Sequence, residues 1–302
     1  MSRDSSKADD AAAEVLRELR PGQSVELLKE LHILTREGRL NQDSRRKLKQ
    51  VYHLYQFIEP LLNEALKGDA AFTLADHGAG KSYLGFILYD LFFNVAHAGQ
   101  QLGGHVYGIE TRAELVEKSR ALAARLGFER MSFLNLSVKD ATTSTELPSR
   151  INIVTALHAC DTATDDAIAF GLAKQAQHMV LVPCCQAEVA SVLKRTRSLN
   201  LSRTPLAELW RHPLHTREFG SQITNVLRCL QLEANGYNVT VTELVGWEHS
   251  MKNELILASK PQTPNAAKTS SAQERLQQVI SELGLGEMRE RFNVAQISNA
   301  II

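Results

Sequence analysis

The sequence of 302 residues has little cysteine, no excess of charge and no long apolar run. Its four cysteines include an adjacent pair and no secretory segment is predicted ahead of them, so a disulfide framework is not expected. No apolar stretch reaches the length of a bilayer span. Basic and acidic residues balance at 34 each, which excludes a global basic field of the kind that attracts nucleic acid. We therefore expect a cytoplasmic protein with reduced thiols and no membrane association.

Hydrophobic residues make up 44% of the chain, enough to bury a large core in one main domain with appendages. Apolar residues at helical spacing predict a helical N-terminal region over residues 1–66, whose last apolar set is closed by Pro60. A main domain is predicted over 67–260, followed by a linker (PQTPNAAKTSSA) and an amphipathic helix within 261–302. The basic residues at 45–49 fit either a solvated helix face or a surface that contacts phosphates.

From residue 70 onward, strand and helix patterns alternate, which predicts a parallel sheet with helices on both faces. A short loop joins the last two strands, so they should pair antiparallel. The predicted fold is α/β, a Rossmann-like doubly wound seven-stranded sheet with an antiparallel last strand and a helical N-terminal layer. The predicted strands are 71–76, 105–110, 131–136, 151–157, 178–183, 237–243 and 254–259, and the predicted helices are 82–96, 111–126, 163–176, 186–195 and 220–235.

The most informative stretch is AFTLADHGAGKS, residues 71–82. An apolar strand runs into Asp76, and Gly78 and Gly80 follow in a turn that leads into a helix. The next strand, HVYGIE, ends in Glu110, and a carboxylate at that position can accept both hydroxyls of a ribose. We expect an adenosine-containing ligand across the carboxyl ends of these two strands.

Three ligand classes compete for this turn, beside an ordinary tight strand-to-helix turn. A phosphate-binding P-loop needs a glycine where Ala75 stands, and Asp76 would repel a triphosphate. The dinucleotide pattern G-x-G-x-x-G fails at Tyr83. The remaining pattern, D-x-G-x-G, resembles the first motif of the class I S-adenosylmethionine-dependent methyltransferases, whose ligand carries no phosphate.

Three segments further along the chain resemble one branch of these methyltransferases. The segments ALHACDTATDDAI, VPCCQ and GWEHSMKNELILA resemble one methyltransferase branch that includes eukaryotic tRNA 2′-O-methyltransferases and glutathione-S-transferase-C-terminal-domain-containing proteins, over about residues 45–260. The resemblance implies S-adenosylmethionine as cofactor and RNA as the leading acceptor. The cofactor-binding residues it implies are Asp76, Gly78, Gly80, Lys81, Glu110, Asp140 and His158, of which Asp140 would lie at the adenine edge.

The predicted catalytic residues follow the fourth, fifth and sixth strands. Asp161, with His158 or Lys252, would position or deprotonate the acceptor, although Asp161 also fits a simple helix N-cap. Cys184 fits either a polar floor beside the acceptor atom or a packed strand end. A covalent role shared with Cys160 is a further alternative, in the manner of RNA cytosine-5 methyltransferases.

Other features leave alternatives open. No usual zinc-ligand spacing is present, so no metal is predicted. Asp165 and Asp166 fit charges in the first turn of a helix, where the helix dipole favours them. Residues 196–219 interrupt the alternation and fit a substrate lid. Methylation of protein or of a small molecule and a non-catalytic cofactor-binding scaffold remain the competing functions.

Overall fold

The computed structural model describes residues 17–68, 71–157, 161–183, 186–196, 204–244 and 254–292. Within these ranges the chain forms a seven-stranded sheet in the order β3-β2-β1-β4-β5-β7-β6. The strands are β1 (Thr73–His77), β2 (His105–Glu110), β3 (Met131–Asn135), β4 (Ile153–Leu157), β5 (His178–Val182), β6 (Asn238–Glu243) and β7 (Glu254–Ser259).

The pairing confirms the predicted fold class. Strands β1 to β5 are parallel, whereas β7 lies antiparallel between β5 and β6. The chain proceeds from β1 outward to β3 and then returns to the other side of β1 with β4. The carboxyl ends of β1 and β4 therefore form a topological switch point, where ligands bind in open α/β sheets. Asp76 pairs with Gly108 of β2 and with Thr155 of β4 at this point.

Helices cover both faces of this sheet. The α-helices are α1 (Val25–Glu30), α2 (Gln42–Gly68), α3 (Tyr83–Tyr89), α4 (Ala113–Leu126), α5 (Val138–Thr143), α6 (Thr162–Ala173), α7 (Glu188–Thr196), α8 (Pro213–Ala234) and α9 (Ala266–Glu282). A π-helix (Asp90–Ala96) extends α3, and 3₁₀-helices occupy Pro205–Trp210 and Gly286–Met288. No helix in the described ranges has the length and apolarity that crossing a membrane requires.

The N-terminal layer shares one core with the first strands, since α1 and α2 contribute buried side chains to the same cluster as β1 and β2. The prediction that Pro60 closes the last apolar set was wrong, because α2 continues through it to Gly68. Proline removes one backbone hydrogen bond inside a helix. The buried stripe of Ile58, Leu62 and Ala65 continues across that position, and its burial offsets the loss.

Two further element boundaries differ from prediction. Helix α8 begins at Pro213, because proline suits the first turn of a helix, so the last part of the predicted insertion is helical. The lid role of 196–219 stays a prediction, and 197–203 lie outside the described residues. The linker is also shorter than predicted, since the Asn265 side chain accepts the Lys268 N–H at 3.0 Å and caps α9, which begins at Ala266.

The C-terminal segment packs onto the main domain. Its buried apolar residues form a cluster with residues of α7 and α8. The C-terminal segment contributes Leu276, Ile280, Leu283, Leu285, Met288 and Phe292, and the two helices contribute Val189, Leu193 and Leu227. This cluster joins α7, which follows the carboxyl end of β5, to α8 and to the C-terminal segment.

Gly220 sets the distance between α7 and α8. A Cβ atom at this position would lie 2.5–2.7 Å from the Cβ, Cα and N atoms of Ala190, so the two backbones would have to separate. We expect Gly220→Ala to lower the free energy of unfolding by about 2 kcal/mol, as overpacking does. Urea denaturation measures the change. Gly286→Ala is the matched control, because its Cβ meets nothing within 4 Å. Equal stability of the two variants would contradict this packing.

Candidate functional site

The carboxyl end of β1 places a buried carboxylate at the switch point. Asp76 is 2% exposed, and its Oδ1 accepts a hydrogen bond from Thr155 Oγ1 of β4 at 2.9 Å. Burial raises the pKa of Asp76 to about 7, although the bonds from Thr155 and from the Gly85 N–H act in the opposite direction. Asp76 thereby joins β1 to β4 and to the helix that follows the turn.

The glycine-rich turn after β1 is tied to β2. Gly78 and Gly80 have φ values of +68° and +57°, which glycine adopts without strain. The N–H groups of Gly78 and Ala79 donate to Ile109 O at 3.0 and 3.1 Å, and the Gly80 N–H donates to Glu110 Oε2 at 2.8 Å. Three successive N–H groups are thus already bonded. A phosphate needs such groups free, so the geometry disfavours the P-loop alternative.

Glu110 ends β2 and faces this turn. Its carboxylate also accepts from the Arg112 N–H at 3.0 Å and from the Arg112 guanidinium at 3.0 and 3.1 Å. Burial disfavours ionisation of Glu110, but the bonds from Arg112 and Gly80 outweigh it and lower the pKa to about 2. The carboxylate is therefore charged. The Arg112 side chain is 62% exposed and can leave, which frees acceptor positions for hydroxyl groups.

Two polar side chains of the turn are buried without hydrogen-bond partners. Both ring nitrogens of His77 and the Oγ of Ser82 are unpartnered, and these residues are 6% and 1% exposed. The His77 ring lies 5.7 Å from that of Phe170 on α6. Burial lowers the pKa of His77 to about 4, against the influence of Glu110. The sequence showed a histidine inside D-x-G-x-G, but nothing in the pattern indicated that it lacks a partner.

Ser82 is in the left-handed region, with φ +52°, and its side chain makes no capping bond to α3. We expect Ser82→Gly to raise the free energy of unfolding by about 1 kcal/mol, because it removes the strain and an unpaired hydroxyl at a smaller entropic cost. Thermal denaturation monitored by circular dichroism measures this. Ser137→Gly should instead destabilise, because Ser137 has φ −74° and its side chain caps α5. A loss of stability in both variants would contradict the assigned strain.

Asp161 follows the strand end of β4 in a strained backbone conformation, with φ +50° and ψ −118°. It occupies the N-cap position of α6 but makes no side-chain capping bond there. Its Oδ1 instead accepts from the N–H groups of Ala187 and Glu188 at 3.0 and 3.4 Å. The carboxylate therefore caps α7 and connects the start of α6 with the start of α7. Its catalytic role stays a prediction.

A buried arginine binds the first residues of α6 and Asp161 before them. Arg228 of α8 is 0% exposed, and its guanidinium bonds both oxygens of Asp165 at 2.6 and 3.0 Å. It also donates to Asp161 O at 2.8 Å and to Asn225 Oδ1 at 3.1 Å. Asp165 was predicted as a charge in the first helical turn; it lies there, but it is buried and ion-paired rather than stabilised by the helix dipole alone.

The same network continues toward β7. Asn225 accepts from Gln186 Nε2 at 3.0 Å and donates to Glu254 Oε2 at 2.7 Å, and Gln186 accepts from Ser221 Oγ at 2.6 Å. This hydrogen-bond network was not predicted from the sequence. The available signal was the spacing of Ser221, Asn225 and Arg228 at i, i+4 and i+7, which places polar groups on one helix face.

The remaining predicted residues are separated from this centre or undescribed. Lys81 is exposed and lines a groove beside α4, and Asp140 is exposed on α5, where its Oδ2 accepts from Ser137 Oγ at 2.6 Å. Their cofactor roles stay predictions. His158, Cys160, Cys184 and Lys252 lie outside the described residues. Within the described ranges, no group of three or more potential ligands is arranged to hold a metal ion.

The geometry fits S-adenosylmethionine better than a nucleoside triphosphate, because the turn offers a charged carboxylate and no free row of N–H groups. A family model described as a methyltransferase domain matches residues 46–192. No curated protein sequence matches the chain.

Solved structures similar to this chain include three with low identity. An rRNA methylase from Streptococcus thermophilus has 11% identity, covering 68% of this chain and 95% of that chain, with a TM-score of 0.40. Magnesium protoporphyrin IX methyltransferase from Synechocystis, with bound SAH, has 15% identity over 79% and 95%, with a TM-score of 0.42. The fibrillarin pre-rRNA processing protein of Methanococcus jannaschii has 10% identity over 64% and 67%, with a TM-score of 0.37. The family match covers residues 46–192, just under half of the chain, and with the sheet order it indicates a methyltransferase domain that uses S-adenosylmethionine as cofactor.

Proposed function

We propose that this domain transfers a methyl group from S-adenosylmethionine to RNA in the cytoplasm. The observation that carries the transfer chemistry is the bond between Gly80 N–H and Glu110 Oε2, at 2.8 Å. It holds a charged carboxylate beside a glycine turn, at the carboxyl ends of β1 and β2. The RNA acceptor is supported by the branch resemblance and by the basic start of α2.

Ion pairs neutralise only some of the basic residues at the start of α2. Lys47 pairs with Asp43 at 2.7 Å and Arg45 pairs with Glu18 at 2.8 Å. Arg46 and Lys49 are exposed, and no ion pair is found for either within the described residues. Lys47 also lies near Tyr83, the first residue of the helix that follows the glycine-rich turn. The basic segment therefore lies near the turn, where a polyanion would be attracted.

In the proposed reaction, the cofactor supplies an electrophilic methyl group. The protein binds the cofactor and the acceptor and orients one toward the other. Glu110, freed from the Arg112 guanidinium, would accept the ribose hydroxyls, and the Gly80 N–H would keep its carboxylate in place. Asp161, His158 and Lys252 are the residues proposed to orient the acceptor or to take its proton.

Replacing Glu110 tests the cofactor site. We expect Glu110→Gln to weaken S-adenosylmethionine binding about tenfold to a hundredfold, because hydrogen bonds to a charged acceptor are lost. Isothermal titration calorimetry measures the affinity. Arg112→Ala is the matched control: it removes the same ion pair but leaves the carboxylate free, so binding should not weaken. An equal loss in both variants would mean that the ion pair, rather than ribose binding, is what matters.

Labelled methyl transfer into fractionated cell extract tests the acceptor. We expect the label in the RNA fraction and its loss after ribonuclease treatment. Label in protein would favour a second candidate function. That candidate rests on a cavity beside Asp161 whose lining includes Glu188 and Glu287, carboxylates that favour a cationic acceptor. Cofactor binding without transfer into any fraction would favour a scaffold.

A further inference from the structure

A groove runs along the outer face of α4 and ends beside the glycine-rich turn. Its volume is about 460 Å³, within the range of ligand pockets. One wall is α4, and the other is the end of α1 with Leu31 and His32. Lys81, the residue after Gly80, lines it as well. The groove is therefore continuous with the turn that carries the proposed cofactor site.

The α4 wall alternates apolar and cationic side chains. Leu115, Lys118, Leu122 and Arg125 all line the groove, and their spacing of three or four residues places them on one helix face. Leu115 and Arg125 are ten positions apart, which is about 15 Å along the helix. A ligand that fits this wall must offer apolar surface and regularly spaced negative charge, which is the combination found in single-stranded nucleic acid.

The groove carries an excess of positive charge. Lys81 and Lys118 are exposed, and no ion pair is found for either within the described ranges. Arg125 pairs with Glu30 at 2.6 Å, which is the one carboxylate that lines the groove. Three cations thus face one anion. The exposed ring of His32 adds a flat surface on which a base can stack.

The opposite side of the site has the reverse charge. The cavities between α6, α7 and the C-terminal 3₁₀-helix are lined by Asp161, Asp166, Glu188, Glu287 and Glu290, against Arg195 and Arg291. Arg195 forms an ion pair with Glu287, and Arg291 lies 3.3 Å from Glu188. Extended contact with a polyanion is therefore disfavoured on this side and favoured in the α4 groove.

We propose that the α4 groove binds a single-stranded segment of the RNA acceptor and leads it to the glycine-rich turn. The proposal rests on the proposed function, since it assigns the surface by which that acceptor is held. Phosphates contact Lys118, Arg125 and Lys81, and a base lies against Leu115 and Leu122 with His32 at the rim.

Fluorescence anisotropy with a labelled single-stranded RNA of about ten nucleotides tests the groove, a length within the usual site sizes. We expect Lys118→Glu to weaken binding about tenfold at low salt, and Lys118→Gln to reduce the slope of log K against log salt by about 0.7, the loss of one phosphate contact. Lys194→Glu, on α7, is the matched control with the same charge change and should bind as the unaltered protein does. Leu115→Ser should weaken binding without changing the slope.

The outcomes separate the groove from the proposed function. If RNA is bound and methylated but Lys118→Glu and Lys194→Glu behave alike, the groove is wrong and the RNA acceptor stands. If the unaltered protein binds no RNA but binds vesicles containing phosphatidylserine, and Lys118→Glu abolishes that, the groove holds lipid and the proposal is overturned. Cofactor affinity, measured in parallel, should be unchanged in every variant of Lys118.

Discussion

Replacement of Arg228 by methionine is expected to lower the free energy of unfolding by about 4 kcal/mol, because it leaves a buried carboxylate without its partner. Arg228 is fully buried and bonds both oxygens of Asp165. It also donates to Asp161 O and Asn225, so the change removes support from the strained backbone at Asp161. Denaturation in urea, followed by circular dichroism, measures the loss.

A double variant distinguishes the unpaired charge from lost packing. Arg228→Met combined with Asp165→Leu removes both charges, and apolar replacements of a buried pair are often neutral. We expect the double variant to recover at least half of the stability lost in the single variant. A loss below about 1 kcal/mol in Arg228→Met would contradict the ion pair as a buried structural element.

The pH dependence of stability is expected to change in opposite directions when Asp76 and His77 are replaced one at a time. The pKa of Asp76 is raised from 3.8 to about 7. The folded protein thus binds the additional proton, and this contribution to stability falls as pH rises from about 4 to 7. The pKa of His77 is lowered from 6.5 to about 4, so the unfolded chain binds the proton and stability rises with pH over nearly the same window.

In the unaltered protein without cofactor these two contributions, each about 3–4 kcal/mol, nearly cancel. In Asp76→Asn only the His77 contribution remains, so the free energy of unfolding should increase between pH 4 and 6.5. His77→Gln should leave the Asp76 contribution, so that stability decreases between pH 4 and 7. Urea denaturation at half-unit pH steps measures both profiles. Parallel profiles for the two variants would show that the burial of these groups does not control their titration.

Much of the fold followed from local sequence. The period-two and apolar strand patterns placed all seven strands to within two residues, and the short loop after β6 predicted the antiparallel pair. The D-x-G-x-G turn and the terminal Glu110 predicted a ligand site across the carboxyl ends of β1 and β2, because a strand end and its turn are determined by neighbouring residues. The hydrogen bond from the Gly80 N–H to the Glu110 carboxylate shows that the turn after β1 and the end of β2 lie together.

The failures of prediction have a common cause in long-range packing. The continuation of α2 through Pro60 depends on burial against the sheet, which outweighs a local preference. Asp161 and Asp165 both follow β4, but one caps α7 and the other pairs with Arg228, 63 residues away along the chain.

By itself, the sequence determined the order of strands and helices, the acidic ends of β1 and β2 and the glycine turn between them. Only the tertiary structure decided that the N–H groups of this turn bond to β2, that Arg112 covers Glu110, and that a cationic groove and an acidic cavity flank opposite sides of the site. The physical reason is that side-chain partners and surface charge depend on contacts between distant segments, whereas periodicity and turn chemistry are local.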